Sequence, residues 1–195
     1  IKQSNLKVLV DPNNGAGSIA TPLLLDQLQV DYSLLNSQPN GRFSHNPEPT
    51  KNNLEQLINE MKSGDYDIGF AQDADADRLV IIDENGNFIG EDNSLALCIE
   101  KVLIDNPSQS NTSIVVNLST SQIIEHLAKK YNAAIHYTKI GEIHVSQKIK
   151  SANALVGGEG NGGIIYPKIG WGRDSLTGIA IALSYLADSK KTVSE

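Results

Sequence analysis

Short apolar runs and longer stretches with helical spacing follow one another along the chain. Apolar runs predict strands at residues 6–10, 32–35, 67–71, 79–82, 88–89, 113–118 and 134–138. Apolar residues at helical spacing predict helices near residues 23–28, 54–61, 94–104, 121–131 and 176–187, and one more after residue 142. Strands that alternate with helices are typical of α/β proteins.

One polar segment divides this pattern. Residues 105–111, DNPSQSN, contain a proline and no apolar residue, which is typical of a linker between domains. The order of strands and helices begins again after it. We therefore predict two consecutive α/β/α domains, each a mixed sheet flanked by helices, over residues 1–105 and 111–195.

Two turn signals refine the prediction. Asn85-Gly86 lies between the apolar runs 79–82 and 88–89 and favours a type I′ hairpin turn. Asp174 precedes the last helical stretch and is a good N-cap residue, and we expect Arg173 to support that turn.

Composition excludes several classes of protein. The net charge of −7 argues against nucleic acid as a partner, and no apolar run approaches the length of a membrane span. Cys98 is the only cysteine, so no disulfide can form within the chain, and a reducing cytoplasm is the simplest location. The chain starts at Ile1 without a signal-peptide core, and we expect it to be part of a longer protein.

The strongest chemical signal is an acidic loop. Asp73, Asp75 and Asp77 directly follow the apolar run 67–71, and Arg78 comes next. Close carboxylates repel one another by about 4 kcal/mol per pair at an effective dielectric constant near 20, so the loop favours a bound cation. A ligand set made only of oxygens favours Mg²⁺. Three carboxylates can bind this ion and leave one coordination position open for a phosphate oxygen.

Two other interpretations of this loop exist. One is a solvated acidic loop, although such loops seldom lie between two apolar runs. The loop also matches an EF-hand, because Asp73, Asp75, Asp77 and Glu84 fall at positions 1, 3, 5 and 12 of a calcium loop. Position 6 of that loop requires a sharp turn, usually at glycine, and here it is Arg78. The flanking segments are predicted strands, whereas an EF-hand requires helices.

The tract AQDADADRL resembles the metal-binding loop of the α-D-phosphohexomutases, whose pattern is Asp-Gly-Asp-x-Asp-Arg. Ala74 replaces the glycine, and all three aspartates are kept. Four other features resemble the same family in the same order: DPNNGAG near the start, the polar segment 105–111, TKIGE at 138–142 and GEGNGG at 158–163. Together they resemble the second and third of the family's four domains.

Two motifs match known functional patterns but lie in the wrong context for those functions. Gly15, Gly17 and Ala20 have the spacing of a dinucleotide-binding fingerprint, but the turn follows its strand too late, so we interpret them as a tight turn. The sequence Ser44-His45-Asn46-Pro47 matches the phosphoserine motif of the phosphohexomutases. Because that serine belongs to the family's first domain, we do not predict Ser44 to be the nucleophile.

A glycine-rich tract is the candidate sugar site. Glu159 and Asn161 can hydrogen bond to neighbouring hydroxyl groups, while the simpler interpretation is a glycine-rich hairpin. The family pattern here is Gly-Glu-x-Ser-Gly-His, so Asn161 replaces the serine and Gly163 replaces the histidine. Glu142 takes a position that the resemblance associates with the choice of sugar.

The resemblance implies a function for the whole protein. It implies a Mg²⁺-dependent phosphohexomutase that moves a phosphoryl group between the 1- and 6-positions of a hexose through a phosphoserine and a bisphosphate intermediate. Arg78 would orient the phosphoryl group. The missing first domain would supply the phosphoserine and the missing fourth domain a phosphate clamp, so the chain alone should be inactive. The alternative is a module without catalytic activity that binds a divalent metal or a sugar.

Overall fold

Strands and helices alternate throughout the computed structural model, which describes residue 1, residues 5–107 and residues 112–195. The first half contains β1 (Lys7–Asp11), α1 (Gly17–Leu28), β2 (Asp31–Leu34), α2 (Glu55–Ser63), β3 (Ile68–Gln72), β4 (Leu79–Ile82) and α3 (Glu91–Ile104). The second half contains β5 (Ser113–Asn117), α4 (Ile123–Lys130), β6 (Ala134–Thr138), α5 (Glu142–Ala152), β7 (Val156–Glu159), β8 (Gly163–Ile165) and α6 (Ser175–Ser189).

The strands form two four-stranded sheets with the same topology. The strand order is β2-β1-β3-β4 in the first sheet and β6-β5-β7-β8 in the second. Only the last strand of each sheet, β4 or β8, runs antiparallel to its neighbour. The prediction of two α/β/α domains with mixed sheets is therefore confirmed.

Helices cover both faces of each sheet. In the first domain α2 packs on one face, and α1 packs on the other together with α6 from the far end of the chain. In the second domain α5 packs on one face, while α3 and α4 pack on the other. Because α3 also packs against α6, the inner helix layers of the two domains are in contact.

The position of α3 bears on the domain boundary. Leu95, Ile99 and Val102 of α3 lie in the core formed with Ile114 and Val156 of the second sheet. This packing favours grouping α3 with the second sheet, before the linker predicted at residues 105–111. Residues 108–111 of that linker lie outside the described residues. The division at 105–111 stays a prediction.

The chain after β4 pairs back with that strand as predicted, since the backbone N–H of Ile89 donates to the oxygen of Ile81 at 3.3 Å, but the turn is of a different type. Gly86 has φ 74°, but Asn85 is not among the described residues with positive φ, as a type I′ turn requires. Phe88 makes a single bridge to Ile82 and does not belong to a strand. The carboxylate of Asp83 accepts hydrogen bonds from the backbone N–H groups of Asn85 (2.9 Å) and Asn87 (2.7 Å). The type I′ prediction is wrong, because this side chain stabilises a different turn.

Gly15 and Gly17, which have the spacing of a dinucleotide-binding fingerprint, allow a close contact between two segments. A Cβ atom at Gly15 would lie 2.5 Å from the backbone oxygen of Ala74, and one at Gly17 would lie 2.2 Å from Gln72 Oε1. The backbone N–H of Ala16 donates to the oxygen of Ala74 at 2.9 Å. This geometry supports the tight-turn interpretation, since the glycines allow the start of α1 to touch the acidic loop.

Among the described residues, no helix combines the length and the apolar character needed to cross a membrane.

Candidate metal and substrate site

The acidic loop extends from the carboxyl end of β3, a strand whose residues are all buried. Asp73 is 3% exposed, Asp77 is partly buried and Asp75 is exposed. One carboxylate oxygen from each of the three residues lies within 4.8 Å of the other two. The structure thus brings together the three predicted ligands.

This donor set fits a magnesium ion. Mg²⁺ binds oxygens at 2.0–2.1 Å, so two of its ligands are at most about 4.2 Å apart. Oxygens that already lie within 4.8 Å need only a small contraction to reach one ion. The exposure of Asp75 leaves the ion a side that is open to a further ligand.

The loop also shows the charge repulsion that an ion would relieve. Burial, followed by the neighbouring charge of Asp73, raises the pKa of Asp77 to about 6 from its ordinary value of 3.8. The guanidinium of Arg173 opposes this shift but does not cancel it. A divalent cation would favour the ionised form of all three carboxylates.

Arg78 holds the loop in shape. Asp73 Oδ1 accepts from the backbone N–H groups of Asp77 and Arg78, each at 3.0 Å, and Oδ2 accepts from Arg78 Nε at 2.6 Å. Arg78 Nη1 donates to Glu48 Oε1 at 2.8 Å, which connects the acidic loop to residues 46–50, NPEPT, before α2. The guanidinium therefore lies next to Asp73 and, at 3.9 Å, Asp77, beside the loop where the sequence predicted a phosphoryl-orienting residue.

Glu159 is the last residue of β7 and is fixed by three donors. Its Oε1 accepts from Asn117 Nδ2 at 2.8 Å and from the backbone N–H of Gly141 at 2.9 Å. Its Oε2 accepts from Arg173 Nη1 at 3.0 Å. The side chain is 4% exposed, so Glu159 is a buried and well-ordered carboxylate, unlike the exposed glutamate of a simple hairpin.

The other two predicted sugar residues lie near Glu159. Asn161 is partly buried, and its Oδ1 accepts from the backbone N–H of Gly163 at 3.3 Å. Glu142 is the first residue of α5, and its Oε1 accepts from the backbone N–H of Arg173 at 3.1 Å. The loops after β6 and β7 therefore meet the segment before α6.

Arg173 is a residue whose part in the site the sequence did not indicate. Its Nη2 donates to Asp77 Oδ2, its Nη1 donates to Glu159, and its Nε lies 3.5 Å from Glu142 Oε2. The expected N-cap of α6 is confirmed, because Asp174 accepts from the backbone N–H of Leu176 at 2.9 Å. Arg173 does more than support that turn, since it connects the acidic loop to the glycine-rich loop.

Backbone contacts also join the two loops. The backbone N–H of Leu79 donates to the oxygen of Gly162 at 3.1 Å. Gly162 has φ 89°, and a Cβ atom there would lie 2.4 Å from the oxygen of Leu79. The N–H and Oγ of Ser175 both donate to the oxygen of Ala76, at 3.2 and 2.5 Å. The loops of the two domains thus form one continuous site.

A second polar cluster holds the proline-rich loop of residues 39–50 against the end of β1. His45 Nε2 lies 3.1 Å from Asp11 Oδ2, and this contact raises the pKa of His45. Asn13 Oδ1 accepts from the backbone N–H groups of Ser44 (2.9 Å) and His45 (3.2 Å). Ser44 is exposed, and its Oγ accepts from Asn14 Nδ2 at 2.9 Å. His45 therefore has a structural partner.

Comparison with known proteins identifies the family. The family model for the α/β/α domain II of phosphoglucomutase/phosphomannomutase matches residues 1–86, and the model for domain III matches residues 90–195. The chain belongs to the phosphoglucomutase/phosphomannomutase family. The two models meet just before α3, in agreement with the packing of that helix.

Several known proteins resemble the chain. A phosphoglucomutase/phosphomannomutase of Thermococcus kodakarensis is 39% identical over 100% of the chain and 42% of its own length. The structure of a phosphoglucomutase/phosphomannomutase family protein from Burkholderia thailandensis matches 94% of the chain and 40% of that protein, with TM-score 0.85 and 29% identity. That of Aspergillus fumigatus N-acetylphosphoglucosamine mutase, in complex with GlcNAc-6P and magnesium, matches 97% of the chain and 48% of that protein, with TM-score 0.69 and 15% identity.

The chain spans about two fifths of the length of the curated relative from T. kodakarensis. It corresponds to two domains of a longer family member.

Proposed function

We propose that the chain is the metal-binding and sugar-binding part of a Mg²⁺-dependent phosphohexomutase. The whole enzyme would interconvert hexose 1-phosphates and 6-phosphates through a phosphoserine and a bisphosphate intermediate. The observation that carries this proposal is the convergence of three aspartate oxygens within 4.8 Å of one another, in a chain matched by both family models. A metal-binding or sugar-binding module without activity would not require these two loops to share one site.

Asp73, Asp75 and Asp77 would hold the magnesium ion. When bound, Mg²⁺ supplies positive charge that stabilises a transferring phosphoryl group. The related A. fumigatus mutase, whose structure contains magnesium, supports this choice of metal. Arg78, fixed by Asp73 and Glu48, would present its guanidinium to the phosphoryl group beside the loop.

Glu159, Asn161 and Glu142 would bind the sugar. A carboxylate has about four acceptor sites on its two oxygens, and Glu159 uses three of them within the protein. The remaining site can accept from a sugar hydroxyl group. Contacts to hydroxyl groups suit a mutase, because the sugar must bind in two orientations that exchange its phosphorylated ends.

Other parts of the same polypeptide would complete the active site. We propose a preceding domain that carries the phosphoserine and a following domain that binds the second phosphate. Ser44 is exposed and held by the Asn13 and Asn14 turn, so it is a poor candidate for the nucleophile. We expect the chain alone not to turn over. We also propose the cytoplasm as the location of the enzyme, because the single cysteine, Cys98, has no disulfide partner in the chain and a reducing compartment suits a free thiol.

A magnesium titration of the chain tests the metal site. Wild-type protein should bind Mg²⁺ weakly, and Asp75→Asn should abolish binding without unfolding the chain, because Asp75 is exposed. The matched control is Asp31→Asn, which removes the same charge from an exposed site on β2 and should bind as wild type does. Tight Ca²⁺ binding with no response to Mg²⁺ would contradict the proposal and favour a calcium loop.

An activity assay of the whole polypeptide tests the reaction. The phosphates of glucose, mannose and glucosamine should be compared, each with its 1,6-bisphosphate as activator. We expect turnover of at least one of them, and Glu159→Ala should reduce it by about a hundredfold or more, because that side chain holds the sugar. An unchanged rate in Glu159→Ala would remove Glu159 from the sugar site.

A further inference from the structure

Three carboxylates from three different elements converge on one guanidinium. Arg173 Nη1 lies 3.0 Å from Glu159 at the end of β7, and its Nε lies 3.5 Å from Glu142 at the start of α5. Its Nη2 donates to Asp77 in the acidic loop of the other domain. The Arg173 side chain is 19% exposed, so most of its charge is screened by these partners and not by water.

Gly163 provides the space for this arrangement. A Cβ atom at residue 163 would lie 2.2 Å from Cδ and 2.9 Å from Cγ of Arg173. The φ of Gly163 is not in the left-handed region, so backbone conformation alone does not require glycine there. The stem of Arg173 fills the volume that a side chain at residue 163 would occupy.

We propose that Arg173 is a positioning residue that holds the sugar-loop carboxylate of Glu159 against the metal-loop carboxylate of Asp77, and that Gly163 is required for this contact. The inference rests on the proposed function, because it assigns Glu159 to the sugar and Asp77 to the metal. Arg173 joins the two across the domain boundary.

The physical basis is charge balance within a partly buried site. Without a cation between them, Asp77 and Glu159 would repel each other, and both loops would separate. A guanidinium suits this position, since its planar group can donate to two carboxylates in fixed directions at once. The backbone hydrogen bond from Leu79 to Gly162 brings the loops into contact, and Arg173 fixes the positions of their carboxylates relative to each other.

The arrangement also accounts for an unusual feature of the glycine-rich loop. The resemblance to phosphohexomutases places a histidine at residue 163, where this chain has glycine. A side chain at 163 and the observed position of Arg173 exclude each other. The chain therefore places a cationic side chain beside Glu159 from the segment before α6 and not from the loop itself.

Magnesium affinity distinguishes positioning from simple structural support. Arg173 pairs with an oxygen of a proposed ligand and adds a positive charge near the ion. Arg173→Met should therefore bind Mg²⁺ about fivefold more tightly than wild type, measured by calorimetry on the chain at pH 8. In the whole enzyme the same change should lower turnover by about tenfold or more, because Glu159 is no longer held in place.

Gly163→Ala tests the role of the glycine without removing the guanidinium. It should displace Arg173 and change both measurements in the same directions as Arg173→Met. The matched control is Gly170→Ala, because a Cβ atom at Gly170 meets no atom within 4 Å. Adding Gly163→Ala to Arg173→Met should cause little further change, since the two substitutions act on one contact.

Each outcome has a distinct meaning. Arg173→Lys keeps the charge but loses the planar guanidinium that donates to two carboxylates at once. It should therefore retain wild-type Mg²⁺ affinity with reduced turnover. If Arg173→Met binds Mg²⁺ more weakly than wild type, or if Gly163→Ala behaves like Gly170→Ala, the positioning role is refuted. Failure of the wild-type chain to bind Mg²⁺ would instead refute the proposed function. A cooperative thermal transition in every variant excludes unfolding as the cause.

Discussion

Charge repulsion in the acidic loop concentrates on Asp77, which is partly buried beside Asp73 and pairs with Arg173 and, at 3.9 Å, with Arg78. Because the pKa of Asp77 in the folded chain is about 6, above its ordinary value of 3.8, the folded state binds a proton more readily than the unfolded state does. Its ionised form therefore opposes folding above pH 6, and this effect disappears as the pH falls towards 4.

We predict that this titration is visible in the stability of the metal-free chain. Between pH 7.5 and pH 5, the free energy of unfolding of wild type should rise by about 1 kcal/mol relative to Asp77→Asn, which cannot titrate. Urea denaturation in the presence of a chelator measures the difference. Asp31→Asn should keep the wild-type pH dependence. Parallel pH profiles for wild type and Asp77→Asn would show that Asp77 is not under strain.

Individual residues of the site differ in how well the sequence indicates them. The three aspartates lie within five consecutive residues, so their spacing alone predicts a shared cation. Arg173 is 14 residues from Glu159, 31 from Glu142 and 96 from Asp77. No local pattern relates such distant positions, and the resemblance to a family offered no motif for it either.

Secondary-structure elements are joined behind the site by a buried amide. Gln72 at the end of β3 is fully buried; its Oε1 accepts from Thr21 Oγ1 of α1 at 2.8 Å, and its Nε2 donates to Ser175 Oγ of α6 at 2.7 Å. Strands such as β3 were predictable from short apolar runs, because burial on both faces favours continuous apolar residues. Gln72 interrupts that pattern where β3 meets two helix ends.

We predict that Gln72→Leu destabilises the chain by about 2 kcal/mol, because it removes the acceptor of the buried Thr21 hydroxyl group and the amide donor to Ser175 Oγ, which keeps its bond to Ala76. Chemical denaturation with a fluorescence or circular-dichroism signal measures this loss. Gln147→Leu makes the same substitution at an exposed position of α5 and should change stability by less than about 0.5 kcal/mol. Equal stability of the two variants would show that the buried amide of Gln72 does not stabilise the packing of β3 against α1 and α6.

Two helices, α3 and α6, each pack against a sheet that local polarity does not predict. The polar segment 105–111 looks like a domain boundary, yet α3 before it packs with the second sheet. Conversely, α6 follows the second sheet in the chain but buries Ile179, Ala182 and Leu183 against the first. These are contacts between distant segments, so hydrophobic periodicity predicts the helices but not the sheet that each one covers.

We therefore predict that residues 1–105 do not fold independently. That fragment retains the first sheet, α1, α2 and α3, but it lacks α6, and the face formed by Val10, Phe70 and Ile81 would be exposed to water. Exposing such a face costs about 25 cal/mol per Å² of apolar surface, which is large compared with the stability of a small domain. The fragment should bind a hydrophobic dye and melt without a cooperative transition, whereas the complete chain should melt in one step.

Adding a separate fragment of residues 112–195, which supplies α6, should restore part of the cooperative signal. A sharp, dye-free transition in the fragment of residues 1–105 alone would contradict this prediction. It would mean that α6 covers a surface that the first sheet does not need to bury. The two domains would then be independent units, and the contact between Arg173 and Asp77 would have to hold their loops together without support from a shared core.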